Sequence, residues 1–185
     1  MTSKATDTEV RLKALKPGVH IIAGCGLLLN SYLKTFFTVA AESAHMVSVP
    51  ASEKDSLRAY HEGLIQTGQP LFYAVDISPD DVPMVVGWVD IKKHPSPSAS
   101  HRGYLSVGVL HAYRGQGLGR KLLQTALKAA PTAGIEQIEL EAFTTNTPAI
   151  NLFEGLGFQK VGTLPHYRKN TDDSYSDVTV MYRPV

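Results

Sequence analysis

The sequence has a single cysteine, almost no excess charge and no long apolar stretch. Cys25 alone cannot form a disulfide within the chain, which suits a reducing cytosol. Eighteen Lys and Arg residues against 17 Asp and Glu give a formal net charge of +1, and no basic run marks a nucleic-acid patch. The longest apolar run, Val19 to Leu29, is too short to cross a bilayer. We therefore expect a cytoplasmic protein that binds neither nucleic acid nor membrane.

The length of 185 residues and the 43% hydrophobic content suit one globular domain spanning residues 1–185. Residues 1–9 are polar, so we expect them to be disordered. Residues 92–103 are rich in Ser, Pro and His and predict a mobile loop. The sequence contains no internal repeat.

Hydrophobic periodicity predicts strands alternating with helices. The expected strands are 10–15, 71–77, 84–91, 104–110, 135–143, 161–164 and 178–183. Four helices are expected. The first covers 27–43, and the second begins after a cap at Ser52 and ends at Gly68. The third covers 118–130. The fourth covers 147–156, where Thr147 is the expected cap and Pro148 the first helical residue. Segment 27–43 also suits a strand, because it is rich in aromatic and β-branched residues. This order predicts a mixed, twisted α/β sheet with helices on its faces.

A glycine-rich segment, Arg114-Gly-Gln-Gly-Leu-Gly-Arg120, joins a predicted strand to an amphipathic helix. Its glycines let the backbone approach a ligand closely, and the helix start offers free N–H groups and a positive dipole end. The segment therefore predicts a phosphate or pyrophosphate site. It matches neither the dinucleotide fingerprint nor the P-loop, and alone it is equally typical of a tight turn.

A second motif follows: Asn146, then Ala149, Leu152-Phe153 and Gly157-Phe158, in the pattern NxxAxxLFxxxGF. The two motifs, in this order and separated by a strand, resemble the Gcn5-related N-acetyltransferase superfamily. The resemblance covers roughly residues 103–185. It implies a mainly antiparallel, twisted sheet flanked by helices, in which residues 106–110 bulge and splay from 138–143.

The resemblance implies that acetyl-CoA is the co-substrate and that no metal takes part. The cofactor-binding residues that it implies are Val107, Val109, Arg114, Gly115, Gln116, Gly117, Leu118, Gly119, Arg120, Asn146 and Phe153. Backbone amides of the glycine segment would hold the pyrophosphate. An amide near Val109 would polarise the thioester carbonyl.

The catalytic residues are expected to be Asn146, His166 and Tyr175. Many family members have a tyrosine at the position of Phe153, and this tyrosine is the usual candidate to donate a proton to the leaving thiolate. Phe153 has no hydroxyl and cannot donate a proton. Tyr104, Tyr167 and Tyr175 are candidate replacements. The strand before the glycine segment lacks the usual carboxylate base, so the base could be His101, His166 or a water chain.

Residues 162–183, beginning Gly162-Thr-Leu-Pro, resemble a small-molecule branch that includes fungal enzymes acetylating a toxic proline analogue. The expected reaction is acetyl transfer to a primary or secondary amine of a small molecule. The alternatives are a protein-directed N-acetyltransferase and a non-catalytic coenzyme A sensor or scaffold. Asp177 is expected to shape the acceptor pocket or to fix the last hairpin. A homodimer is expected by analogy alone.

Overall fold

The computed structural model describes residues 18–42, 51–77, 82–170 and 172–185. The strands are β1 (Gly18–Ala23), β2 (Leu71–Ile77), β3 (Met84–Lys93), β4 (Arg102–Val109), β5 (Gln137–Phe143), β6 (Gln159–Lys169) and β7 (Tyr175–Pro184). The helices are α1 (Leu29–Glu42), α2 (Lys54–Gln66), α3 (Leu118–Ala129) and α4 (Thr147–Glu154). The structure thus confirms a helix for the ambiguous segment 27–43.

All seven strands form one sheet in the order β1-β2-β3-β4-β5-β7-β6. Neighbours pair in antiparallel fashion except β4 and β5, which are parallel. This confirms the mixed, mainly antiparallel sheet. The parallel pair lies at the centre and is the part of the sheet that positions the site.

Helices cover both faces of the sheet, because alternate residues of its central strands are apolar on each side. The core on one face joins α3 and α4 to β3 and β5 through side chains such as Leu122, Ile138 and Phe153. The core on the other face joins α1 and α2 to β2 and β3 around Tyr32 and Trp88, both fully buried. The central strands are therefore held rigidly from two sides.

Two predicted helix starts are wrong in detail. Ser52 lies in a short 3-10 turn before α2 and is not its cap. Asn146, not Thr147, caps α4: its Oδ1 accepts the amide of Ala149 at 3.3 Å. Both misassignments arise because Ser, Thr and Asn are all good caps, and only the backbone path selects among neighbours.

The loop predicted at 92–103 is shorter than expected. Lys92 and Lys93 continue β3, and Arg102 and Gly103 begin β4. The amide of His94 bonds the carbonyl of Arg102 at 2.8 Å and closes the connection. The strand predicted at 10–15 and the disorder predicted at 1–9 lie outside the described residues.

The predicted bulge in 106–110 is wrong. The register of β3 with β4 runs unbroken from Gly87 opposite Val109 to Lys93 opposite Gly103. The irregularity lies instead between β2 and β3, beside Ala74 and Val75. Because strands part simply by losing their ladder hydrogen bonds, the splay of β4 from β5 needs no extra residue.

Gly108 in β4 lies against the indole ring of Trp88, and a Cβ there would overlap three ring carbons. We expect Gly108→Ala to lower the free energy of unfolding by about 1–3 kcal/mol, since the buried ring cannot withdraw. Gly162→Ala in β6 is the matched control, because its Cβ meets nothing within 4 Å. Urea denaturation of both variants measures the difference, and equal midpoints would contradict this packing argument.

Candidate functional site

The strands β4 and β5 part at the centre of the sheet. They pair only from Arg102 opposite Gln137 to Tyr104 opposite Glu139. Beyond Tyr104 they share no ladder pairs over the rest of β4, which confirms the predicted splay. The parting leaves a gap bordered by backbone groups that the sheet would otherwise pair.

Backbone amides of β4 point into this gap. Just beyond β4, Leu110 donates its amide to Val86 of β3 at 3.0 Å. Since successive residues of a strand point their N–H and C=O groups to opposite sides, the amides of Val107 and Val109 face away from β3. The gap is therefore lined by two hydrogen-bond donors in a fixed row.

The glycine segment forms the turn between β4 and α3. Gly115 and Gly117 have φ values of 75° and 77°, in the left-handed region that favours glycine. Gly117 is the N-cap of α3 and supplies no side-chain capping bond. The first intrahelical bond at this end runs from the amide of Lys121 to the carbonyl of Gly117 at 3.1 Å, so the amides of residues 118–120 remain available. The turn thus presents a cluster of N–H groups at the positive end of the α3 dipole.

A cavity of about 600 Å³ lies over this turn and extends to the gap. Ten of the eleven predicted cofactor-binding residues border it, namely Val107, Val109, Arg114, Gly115, Gly117, Leu118, Gly119, Arg120, Asn146 and Phe153. Gln116 does not border it, and its Nε2 donates to the carbonyl of Ala112 at 3.2 Å. The structure thus brings ten of the predicted residues together around one cavity.

The arginines of this segment also brace the turn. Arg114 donates from Nε to the carbonyl of Val109 at 2.8 Å, and one of its terminal nitrogens lies 3.4 Å from Glu42. The same carboxylate accepts the amide of His111 at 2.9 Å. Arg120 donates to the carbonyl of Gly155 at 3.3 Å. These contacts fix the turn to the end of α1 and to α4.

A second cavity of about 690 Å³ opens on the β5 side of the gap. The two cavities share four bordering residues, so they adjoin one another. Those shared residues are Val107, Asn146, Ala149 and Phe153. The arrangement is a passage from the glycine turn, through the gap, to a separate chamber.

Two carboxylates border this second cavity, Glu139 and Glu141 of β5. Arg102 holds Glu139 through two hydrogen bonds of 2.5 and 2.6 Å, and these bonds lower the pKa of Glu139. No ion pair to Glu141 occurs among the described residues. Sequence alternation along β5 correctly assigns both residues to the face opposite Ile138 and Leu140, but it cannot show that this face borders a cavity.

Two phenols, Tyr104 and Tyr167, also border the second cavity. A hydrogen bond with Glu141 is the leading cause that raises the pKa of Tyr167 to about 12. Tyr167 therefore keeps its proton at neutral pH and remains a donor. Both tyrosines were candidate replacements for the missing phenol at Phe153, and the structure places both at the cavity.

Phe153 is buried in the wall shared by the two cavities and packs against Phe158, with ring centroids 5.8 Å apart. It can shape the passage but cannot donate a proton. Asn146 borders both cavities, while its Oδ1 serves as the cap of α4. Its remaining polar group, the amide nitrogen, is the one left for a ligand.

His166 and Tyr175 border neither cavity. The sequence suggested a turn at His166, but it lies within β6 at a register irregularity, with φ of 53°. Its exposed ring stacks on Tyr175 with centroids 4.9 Å apart. Asp177 accepts the amide of His166 at 2.8 Å, so this carboxylate fixes the hairpin. His101 lies in the connection before β4 and is exposed.

Within the described parts of the chain, no helix is long and apolar enough to cross a membrane. The same parts hold no group of three or more His, Cys, Asp or Glu side chains arranged to bind a metal.

The splayed parallel pair and the glycine turn together offer backbone donors for an elongated ligand that carries phosphate. The family model described as "Acetyltransferase (GNAT) family" matches residues 31–158, more than half of the chain. The chain belongs to this family and is an acetyltransferase.

Relatives of both acceptor types are similar to this chain. N-alpha-acetyltransferase 30 of Saccharomyces cerevisiae is 28% identical over 131 residues, which are 70% of this chain and 74% of the relative. A phosphinothricin acetyltransferase-like protein of Bacillus subtilis is 29% identical over 129 residues, 69% of this chain and 76% of the relative. The crystal structure of a Sinorhizobium meliloti phosphinothricin acetyltransferase in complex with acetyl-CoA has a TM-score of 0.78 at 18% identity, covering 91% and 89% of the two chains.

Proposed function

We propose that this chain transfers an acetyl group from acetyl-CoA directly to a primary or secondary amine of a small molecule that carries no acidic group. The observation that carries this proposal is the meeting of two cavities at the gap between β4 and β5. One cavity offers donors for a phosphorylated cofactor, and the other offers carboxylates and phenols for an amine.

The residues present fit acetyl-CoA. The pyrophosphate would be held by the amides of residues 115–120, because the left-handed glycines aim several N–H groups at one point. The pantetheine arm would lie in the gap, where Val107 and Val109 offer amides to its carbonyls. Acetyl-CoA, when bound, supplies the acetyl group as an activated thioester.

The residues of the chain would then act on charge and protons. Of the amides of Val107 and Val109, one would serve the pantetheine arm and the other would be a fixed donor for the acetyl oxygen, where negative charge develops. Glu141 would accept the proton of the ammonium, since it borders the acceptor cavity and no cation pairs with it among the described residues. Tyr104 or Tyr167 would donate to the leaving thiolate, in place of the phenol that Phe153 lacks. Asn146 would hold the reactants through its amide nitrogen. His166 and Tyr175 remain proposals of the sequence alone.

The charge of the second cavity supports an acceptor without an acidic group. Its described lining contains Glu139 and Glu141 but no Lys, Arg or His. Arg102 balances the charge of Glu139, so Glu141 is the carboxylate that an acceptor would face there. A carboxylate or phosphinate on the acceptor would be repelled by Glu141, whereas an ammonium would be attracted. This argument disfavours free amino acids, and with them a proline analogue, as acceptors. A cavity of about 690 Å³ has the size of small-molecule sites.

A peptide N-terminus is the second candidate acceptor, favoured by the similarity to a protein N-alpha-acetyltransferase over 70% of this chain. Its terminal ammonium suits the same carboxylates. Membership of the acetyltransferase family argues against the alternative of a non-catalytic coenzyme A sensor. The homodimer and the cytoplasmic location stay expectations of the sequence.

The purified chain can be tested by measuring thiol release from acetyl-CoA with a panel of amines. The panel contains 1,4-diaminobutane, benzylamine, a tripeptide with a free N-terminus, azetidine-2-carboxylate and phosphinothricin. We expect turnover with the first two amines and little with the two acids. Turnover of the tripeptide alone would replace the small-molecule proposal by the peptide one. Tight coenzyme A binding without turnover of any amine would establish the sensor.

A further inference from the structure

Ser106 of β4 exposes its side chain in the acceptor cavity. It borders the chamber beside Tyr104, on the strand whose amides face the gap. Trp88 of β3, fully buried beneath it, directs its indole N–H at the Oγ of Ser106 at 3.4 Å. Ser106 is therefore a polar group of the cavity that is connected to the interior of the protein.

Asp90 of β3 is the direct cross-strand partner of Ser106 and is 1% exposed. A carboxylate this deeply buried is costly unless hydrogen bonds satisfy it. The phenol of Tyr60 donates to its Oδ1 at 2.7 Å. Hydrogen bonds from Tyr60 and Ser106 lower the pKa of Asp90, but burial outweighs them and raises it to about 7. Within the described ranges of the chain, Asp90 is the one buried acid, and the proposed reaction does not use it.

The hydrogen-bond capacity of a serine hydroxyl decides what Ser106 can offer a ligand. It has one proton and two acceptor lone pairs. If Asp90 takes the proton and Trp88 occupies one lone pair, a single lone pair remains for the cavity. Ser106 then accepts a hydrogen bond from a ligand and cannot donate one.

We propose that Asp90 is a positioning residue that fixes the hydroxyl of Ser106 as a hydrogen-bond acceptor, so that Ser106 binds the N–H group of the acceptor amine. This inference rests on the proposed acetyl transfer to an amine and adds a recognition element to that site. Together with the carboxylates of β5, Ser106 would surround the amine with acceptors from both parted strands. A ligand that presents an oxygen acceptor at this point would be rejected.

The proposal predicts a pH dependence of amine binding. When Asp90 gains a proton it becomes a weaker acceptor, and the hydroxyl of Ser106 is free to turn its proton toward the cavity. Since the pKa of Asp90 is about 7, the KM for the amine should rise as the pH falls through neutrality. The groups facing Asp90 are Tyr32 of α1, Tyr60 and His61 of α2, Tyr73 of β2, Lys92 of β3 and Ser106 of β4.

The histidine and the three tyrosines that face Asp90 titrate outside this range. Burial lowers the pKa of His61 to about 4, so its ring is neutral at pH 7. Burial and the charge of Asp90 raise the pKa values of Tyr32, Tyr60 and Tyr73 above that of free tyrosine. If the KM for the amine changes with pH near neutrality, and if replacing Asp90 or Ser106 removes that change, the change is therefore assigned to Asp90.

The test compares Ser106→Ala, Asp90→Asn and the double variant with the wild-type chain, using 1,4-diaminobutane from about pH 5.5 to 8.5. This amine stays protonated over that range, since alkylammonium groups titrate near pH 10. We expect each single variant to raise the KM for the amine roughly three- to tenfold, the worth of one hydrogen bond. The double variant should add little to either, and the rise of KM at low pH should vanish in all three. The KM for acetyl-CoA should not change.

Additive effects in the double variant, or a wild-type pH profile that Ser106→Ala retains, would overturn the proposal. Ser98→Ala, an exposed serine in the β3–β4 connection, is the control for hydroxyl removal. Should Asp90→Asn fail to fold, the comparison of Ser106→Ala with the wild-type pH profile decides alone, since Ser106 is exposed. If the wild-type chain acetylates no amine of the panel, the proposed function itself fails and this inference is withdrawn with it.

Discussion

Replacing Gly117 by glutamate is expected to abolish acetyl-CoA binding. If calorimetric titration still detects heat of binding, the affinity should be lower by at least about 100-fold. Two effects add. A Cβ at φ of 77° disfavours the left-handed backbone by about 1–2 kcal/mol, which distorts the N-cap of α3. The carboxylate would also lie among the amides that the pyrophosphate needs, where like charges repel strongly.

A matched control separates loss of the site from strain in the fold. Gly68 after α2 also has a left-handed φ, of 65°, and a Cβ there meets nothing within 4 Å. Gly68→Glu therefore adds the same side chain at the same backbone cost, away from the glycine turn. It should lose similar stability and keep its affinity for acetyl-CoA. Equal affinities of the two variants would show that the turn holds no phosphate.

The cofactor half of the site could be predicted because its chemistry lies in consecutive residues. Gly115 and Gly117 predict a turn with left-handed backbone conformation, and the helix that begins at Leu118 supplies the free amides. Local sequence dictates such a structure almost alone, since backbone conformation and helix start are short-range properties. The NxxAxxLF pattern likewise placed Asn146 and Phe153 at the cavity before the fold was known.

The acceptor half could not be predicted in the same way because it is assembled from separate strands. The alternation of β5 places Glu141 on the face opposite Ile138 and Leu140, but nothing in β5 shows that β4 parts from it. Asp90 and Ser106 are neighbours only through the register of β3 with β4. The family resemblance implies that His166 lies near the acceptor, but His166 lies within β6 at a register irregularity, and its neighbour Tyr167 borders the cavity instead. The sequence of a strand does not show such an irregularity.

The two acids of β5 differ in their partners, and this difference assigns their roles. Arg102 stabilises the charged form of Glu139 through two hydrogen bonds and lowers its pKa, which makes Glu139 a poor base near neutrality. A carboxyl group whose pKa is lowered by folding contributes stability that is lost as the pH falls through that pKa. Glu139 therefore stabilises the fold at pH values above the ordinary pKa of a glutamate. Glu141, which shares a hydrogen bond with Tyr167, is left to exchange protons with the acceptor.

Glu141→Gln is accordingly expected to lower kcat by about 100- to 1,000-fold for an amine that binds as the ammonium, within the range of general-base effects. Glutamine keeps the shape and can still accept from Tyr167, so the KM for acetyl-CoA should stay unchanged. The measurement is steady-state thiol release with 1,4-diaminobutane at about pH 7 and again at about pH 9.5. Because the amine begins to lose its own proton at the higher pH, the deficit of the variant should shrink there.

The companion variant Glu139→Gln tests whether any carboxylate at the acceptor cavity supports catalysis or only one that is not paired with an arginine. It also removes a carboxylate from the acceptor cavity, but one that Arg102 already neutralises. We expect it to reduce thermal stability by leaving Arg102 without its partner, and to reduce kcat by less than about tenfold. A larger loss of kcat in Glu139→Gln than in Glu141→Gln, or a deficit in Glu141→Gln that is the same at both pH values, would remove Glu141 from the role of base. The proton would then have to leave by another route, of which a water chain in the open cavity is the simplest that the lining allows.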